Sequence, residues 1–218
     1  MSRRWPAGLA LVAALSLLAA GTPRAAGPTR EEALVALADD DVESRRRGAR
    51  ALGDTGLMTD LPQLVRALRD GDARVRAFAE NAMWQVWSRS GDDAVDGLFA
   101  LGVEQMSARR GELAVDTFTE VIRRRPEFAE GWNKRATVYY LVGEYERSLA
   151  DCAEVMKRNP YHFGALSGYG MIYLKLDQPA KALDYFQQAL RVNPNLESIR
   201  QTVEMLKTLL IQRRKDTL

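Results

Sequence analysis

The chain has 218 residues, 46% of them hydrophobic and 28% charged, with 31 Lys and Arg against 29 Asp and Glu. That balance suits one compact domain or two small ones and excludes a chain disordered throughout. The single cysteine, Cys152, excludes an internal disulfide, and the single histidine, His162, makes no zinc site by itself.

The first segment, MSRRWPAGLALVAALSLLAAGTPRAAG, has Arg3 and Arg4 at its start, an apolar run from Ala7 to Ala20, then small residues and a proline. This is the order of a secretory signal peptide, and the run is shorter than the ~20 residues a bilayer-spanning helix needs. Residues 1–26 are therefore expected to be a cleavable leader, and the rest an exported, periplasmic protein. Loss of Arg3, Arg4 and Arg24 leaves 28 basic against 29 acidic side chains, a mature charge of about −1. A nucleic-acid partner then has no electrostatic argument.

Residues 27–90 repeat with a period of 31: Leu34 aligns with Val65, Leu37 with Leu68, Asp41 with Asp72, Arg45 with Arg76, Gly48 with Ala79, and Leu52 with Met83. The spacing predicts four short helices near 30–38, 42–53, 60–69 and 73–88, with the aspartates capping the second helix of each pair. "SGDD" at 90–93 reads as the joint. The pattern is similar to short HEAT repeats. Two such repeats are too few to stand comfortably alone, and they are expected to dock on the first repeat of the C-terminal part.

From Val95 the period becomes 34, marked by Pro126, Pro160 and Pro194 and by the sets Ala114, Ser148, Ala182; Phe118, Cys152, Phe186; and Val121, Val155, Ala189. Proline ends a helix, small residues allow close approach, and one antiparallel helix pair cannot bury its apolar face without neighbours. Period, small residues and closing proline resemble tetratricopeptide repeats at 95–128, 129–162 and 163–196, together 95–196, with a capping helix and tail at 197–218. Turns are expected near Gly111, Gly143 and Asp177. The fold class predicted is all-α, an α-solenoid of stacked helical hairpins.

The resemblance implies that the first helix of each repeat lines a concave groove. Carried over, its candidate partner-binding residues are Phe99, Val103, Met106, Asn133, Thr137, Tyr140, Ser167, Met171 and Leu174. Asn133 is expected to offer a donor and an acceptor to a peptide backbone, and Tyr140 apolar area with a polar tip. Trp132, Arg135 and Asp151 are expected to support the groove. Arg135 interrupts an apolar face, and a hairpin turning near Gly143 places it opposite Asp151, with Glu120 as the second choice. Chaperone-tail-binding members of the family clamp a carboxylate with Lys and Asn; Phe99, Val103, Gly164 and Gly168 do not supply that set.

The remaining candidate chemistry is thin. Cys152 takes the slot of Phe118 and Phe186, which makes it a buried apolar group. Asp39, Asp40 and Asp41, and Asp92 and Asp93, precede helices as caps. The runs SRRRGAR and VIRRRPEF read as solvated helix faces. Gly164, Gly168 and Gly170 in one helix are costly at ~1 kcal/mol each, so something must come close there. The expected function is a non-enzymatic scaffold for a protein or peptide partner, with no cofactor, no metal and no nucleic acid. The alternative is a cell-envelope assembly factor, part of an envelope-associated complex, binding through the HEAT-like face. An enzyme such as a HEAT-type lyase would need a His, Cys or acid cluster in one pocket.

Overall fold

The computed structural model describes residues 27–215. The leader expected at 1–26 lies outside them. Among the described residues the chain is all-α, with the helices α1 Arg30–Leu37, α2 Val42–Thr55, α3 Leu61–Ala67, α4 Ala73–Trp87, α5 Asp93–Ser107, α6 Gly111–Arg124, α7 Ala129–Leu141, α8 Tyr145–Arg158, α9 Phe163–Lys175, α10 Pro179–Val192 and α11 Glu197–Lys215. A 3₁₀ turn, Met58–Asp60, precedes α3. No helix among the described residues is long and apolar enough to cross a membrane.

Local chemistry fixes the helix starts in the N-terminal part. Thr29 and Glu32 form a reciprocal capping box on α1. Asp41 accepts from the Ser44 N–H at 2.8 Å, Asp72 from Arg74 and Val75 at 3.0 Å, and Asp92 from Ala94 at 3.0 Å. Each acidic cluster is thus helix-capping, as its sequence position implied. Ion pairs Arg45 to Asp70 and Arg46 to Asp72 then tie α2 to the loop before α4.

The three later hairpins close in another way. Arg109, Gly143 and Asp177, 34 residues apart, carry positive φ of 57°, 84° and 50°. The next N–H in each case reaches back along the chain: Arg110 to Gln105, Glu144 to Tyr139 and Gln178 to Tyr173, at 2.8 to 2.9 Å. This is the Schellman closure, and only the middle repeat uses the glycine that suits it. In the first hairpin the turn centres on Arg109, two residues before Gly111, which opens α6. Helices α7, α9 and α11 begin at the expected repeat starts, and α5 begins slightly earlier, at Asp93.

Packing inside the hairpins follows a rule between two positions. Gly102 and Gly170 on the first helices face Phe118 and Phe186 on the second; a methyl group added to them would stand 2.6 and 2.4 Å from those rings. In the middle repeat the pair is Ala136 with Cys152, in one cluster. Glycine accompanies phenylalanine, and alanine accompanies the smaller cysteine. Gly170→Ala is expected to cost ~1 to 3 kcal/mol by overpacking against Phe186, read as a lower melting temperature with unchanged helical circular dichroism.

The N-terminal helices do not dock on the first 34-residue repeat alone. They lie along the edge of the solenoid where one repeat passes into the next, and they touch three successive junctions. Arg125 Nη2 donates to the Ser90 carbonyl at 3.2 Å at the first junction. At the second, Trp87 stacks on His162 with centroids 4.4 Å apart, and Trp84 meets Phe163 edge-on at 5.3 Å. At the third, Asn195 Nδ2 donates to the Leu68 carbonyl at 2.8 Å, and the Arg69 guanidinium donates to the carbonyls of Arg191 and Val192. One apolar cluster accordingly runs from Ala33 through Trp87 to Phe163, Leu166 and Ala189. The correction has a steric cause: Gly164 leaves a notch at the start of α9 that the Trp84 ring fills, its edge only 2.8 Å from where a methyl group would be.

Candidate groove site and its supports

Between α7 and α9 lies an open cleft of about 140 Å³, lined by Asn133, Ala136, Thr137, Tyr140, Ser148, Cys152, Gly164, Gly168, Met171 and Ile172. Its depth has a specific origin. Where the neighbouring repeats fill the space beneath the first helix with Phe118 or Phe186, this repeat has only Cys152. Gly168 adds room, since a methyl group there would touch only the Cys152 sulfur, at 3.6 Å. Burial pushes the Cys152 thiol up to about 12, so at neutral pH it is an apolar floor and not a nucleophile.

The structure gathers four of the nine candidate groove residues at this cleft: Asn133, Thr137, Tyr140 and Met171. Ser167 and Leu174 share α9 with Met171 but do not line it; the Ser167 hydroxyl donates to the Phe163 carbonyl at 2.8 Å. Met106 lines a separate cleft of about 500 Å³ with Val138, Leu141 and Val142. Val103 packs partly buried against the first-repeat core. Phe99 is not a groove residue. It is 8% exposed and packs with Phe118 and Phe128 in the core of the first repeat.

Asn133 is also committed differently from expectation. Its Nδ2 donates to both Glu130 oxygens, at 3.2 and 3.1 Å, so only the carbonyl of the amide is left for a ligand. The Thr137 hydroxyl donates to the Asn133 backbone carbonyl at 2.9 Å. Around Glu130 the structure builds a buried polar cluster: His162 Nε2 lies 2.6 Å from its Oε1, and Lys134 Nζ 3.7 Å from Oε2. His162 Nδ1 accepts the Ala165 N–H at 3.0 Å, capping α9. A nitrogen that accepts carries no proton, so the ring is the Nε2–H tautomer donating to the carboxylate. Burial raises the Glu130 carboxyl, but the hydrogen bond from His162 and the charges nearby outweigh it and hold the group below its ordinary 4.5.

The sequence pattern did not point to this cluster. The available signal was register: His162 stands where the sister repeats have Phe128 and Leu196, a polar group in an apolar column.

Arg135 and Asp151 meet as the hairpin geometry implied. Arg135 grips Asp151 through two bonds of 2.8 Å, Nε to Oδ2 and Nη2 to Oδ1. Its Nη1 donates to the Thr119 hydroxyl at 2.9 Å, so one guanidinium ties α7 to both α8 and α6. Glu120, the second candidate, instead pairs with Arg123 and Arg124. Trp132 donates from Nε1 to the Pro126 carbonyl at 2.9 Å, with Arg135 and Arg158 over its ring at 5.2 and 4.7 Å. No group of three His, Cys, Asp or Glu side chains with metal-binding geometry occurs among the described residues.

Comparison with known proteins agrees with this architecture. The tetratricopeptide repeat family matches residues 165–196. A TPR repeat-containing protein of Rhizobium etli is 30% identical over 147 residues, covering 67% of this chain and 72% of that protein. The chain belongs to the tetratricopeptide-repeat family. Hsp70-Hsp90 organizing protein 1 of Glycine max is 26% identical over 109 residues, 48% of this chain but only 19% of its own length. Among solved structures, the first TPR of Spaghetti (RPAP3) bound to an HSP90 peptide superposes with a TM-score of 0.52 at 18% identity, over 54% of this chain and 93% of that one. The TPR2B domain of yeast Sti1 in complex with an Hsp70 peptide gives 0.51 at 22% identity, over 54% and 99%. These two share the fold.

Proposed function

We propose that this protein is an exported, non-enzymatic interaction scaffold, and that the cleft between α7 and α9 receives an apolar side chain of a peptide or protein partner. The observation that carries the reading is the exchange of Gly and Phe for Ala136 and Cys152 in the middle repeat, which opens the cleft beneath Tyr140 and Met171. Apolar walls with a few polar groups at the rim, here Thr137 and the Asn133 carbonyl, suit such an anchor. Tetratricopeptide domains of the same fold, solved with HSP90 and Hsp70 peptides, support peptide capture as the mode. A chaperone tail is not the partner proposed, because Phe99 is buried and Gly164 and Gly168 offer no cation. Export rests on the leader-like 1–26 segment, and an envelope-associated partner follows from it. The HEAT-like character of α1 to α4 rests on their 31-residue period.

The test restores the sister-repeat pair. Ala136→Gly with Cys152→Phe should fold with wild-type helical circular dichroism, since the neighbouring repeats are built that way, and should fill the cleft. Loss of the co-purifying envelope partner, with loss of crosslinking from a photoreactive group at Tyr140, is the expected result. A filled cleft that still captures the partner, with crosslinks arising instead from Arg74, would transfer the site to the HEAT-like face.

A further inference from the structure

Trp84 and Trp87 stand on one face of α4, three residues apart, yet they are used differently. Trp87 is 2% exposed and stacked flat on His162. Trp84 is only half-buried. Its ring lies in the Gly164 notch, edge-on to His162 at 5.7 Å and 84° and to Phe163 at 5.3 Å and 89°. Gly164 also lines the cleft, so the notch that the indole fills adjoins that end of it. Beyond it the Glu130 carboxylate is 1% exposed and committed to His162 and Asn133.

We propose that the Gly164 notch is an aromatic-binding subsite of the groove, occupied in the free protein by the chain's own Trp84, so that the N-terminal helices are an autoinhibitory latch. The inference rests on the reading of the cleft as the binding site. A partner segment running the length of the groove displaces Trp84 and puts an aromatic ring in its place. The ring type follows from the walls: two aromatic edges at right angles and a backbone floor without a Cβ select a flat side chain over a branched one. The latch holds much of its own packing, because Leu52, Leu64, Leu68, Val75 and Met83 all lie within α1 to α4, in a cluster that continues to Phe163, Leu166 and Ala189. Ser88 to Asp92 form the link to α5, with Gly91 at φ 77°.

The single thiol reports on the latch, since Cys152 floors the cleft that adjoins the Trp84 notch and is 3% exposed. In the full-length protein without partner, Trp84→Ala should raise the rate of Cys152 alkylation by an uncharged maleimide by roughly tenfold or more, as the open population grows. Free indole should return the rate toward wild type, and isobutanol should not. An unchanged alkylation rate overturns the latch, and a raised rate that indole fails to lower overturns the aromatic subsite. Should Trp84→Ala lose helical circular dichroism, Gly164→Ala serves instead: its methyl group pushes the indole out, and a wild-type rate there overturns the proposal. Because no partner is present, these outcomes are separate from those of the filled-cleft variant, whose failure would sink the cleft and not the latch.

Discussion

Replacing Asp151 by leucine is expected to lower stability by ~3 to 5 kcal/mol, the cost of stranding one member of a buried charge pair. Arg135 is only 15% exposed and held between the Trp132 and Tyr139 rings, so its guanidinium is poorly solvated once the carboxylate is gone. Arg135→Leu should be milder, because a stranded carboxyl can take up a proton and a guanidinium cannot lose one. For a chain of this length the first change corresponds to a fall of roughly 10 °C in melting temperature. Equal melting temperatures for wild type and Asp151→Leu would show that the bidentate pair contributes nothing net.

His162→Ala is expected to be comparably severe, at about 3 kcal/mol or more near neutral pH, since it leaves the buried Glu130 carboxylate with only Asn133 and the more distant Lys134. It also removes the cap of α9 and the ring on which Trp87 stacks. The pH dependence gives the test its sign. In the wild type Glu130 is depressed below 4.5, so its contribution is present above that value and lost as pH falls through the lower folded value. Without His162 burial dominates and raises the carboxyl, which then loses stability as pH rises through the folded value. The difference between the two proteins should therefore shrink as pH is lowered from 7 toward the ordinary carboxylate range. A difference that stays constant with pH would assign the loss to packing alone.

The parts of this structure legible in the sequence are those set by a period. Thirty-four-residue spacing gave the three hairpins, the small residues between helices and the closing helix, because each is a local consequence of stacking identical units. The Arg135 to Asp151 pair followed from hairpin geometry alone: a turn at Gly143 makes those residues neighbours whatever the rest of the chain does. What a period does not encode is the contact between unlike parts. Nothing in the amphipathic pattern of α4 says that Trp84 and Trp87 face the third repeat and not the first, and the clue was Gly164 in the first turn of α9, against which an indole is set. The Glu130 and His162 pair is hidden in a related way, since its members stand at opposite ends of one repeat, 32 residues apart, in different columns. The exchange of Gly and Phe for Ala136 and Cys152 was visible in the aligned repeats, but its meaning as a cleft depends on seeing the two columns in contact.

Binding of a partner between α7 and α9 is tested most directly by amide hydrogen exchange on the isolated complex. Slowed exchange is expected on partner binding at Thr137 to Tyr140 and Gly168 to Met171, with faster exchange in Arg89 to Asp92 as the N-terminal helices are released. Protection confined to α2 and α4, with the α7 and α9 segments exchanging as in the free protein, would contradict groove binding and put the partner on the N-terminal face.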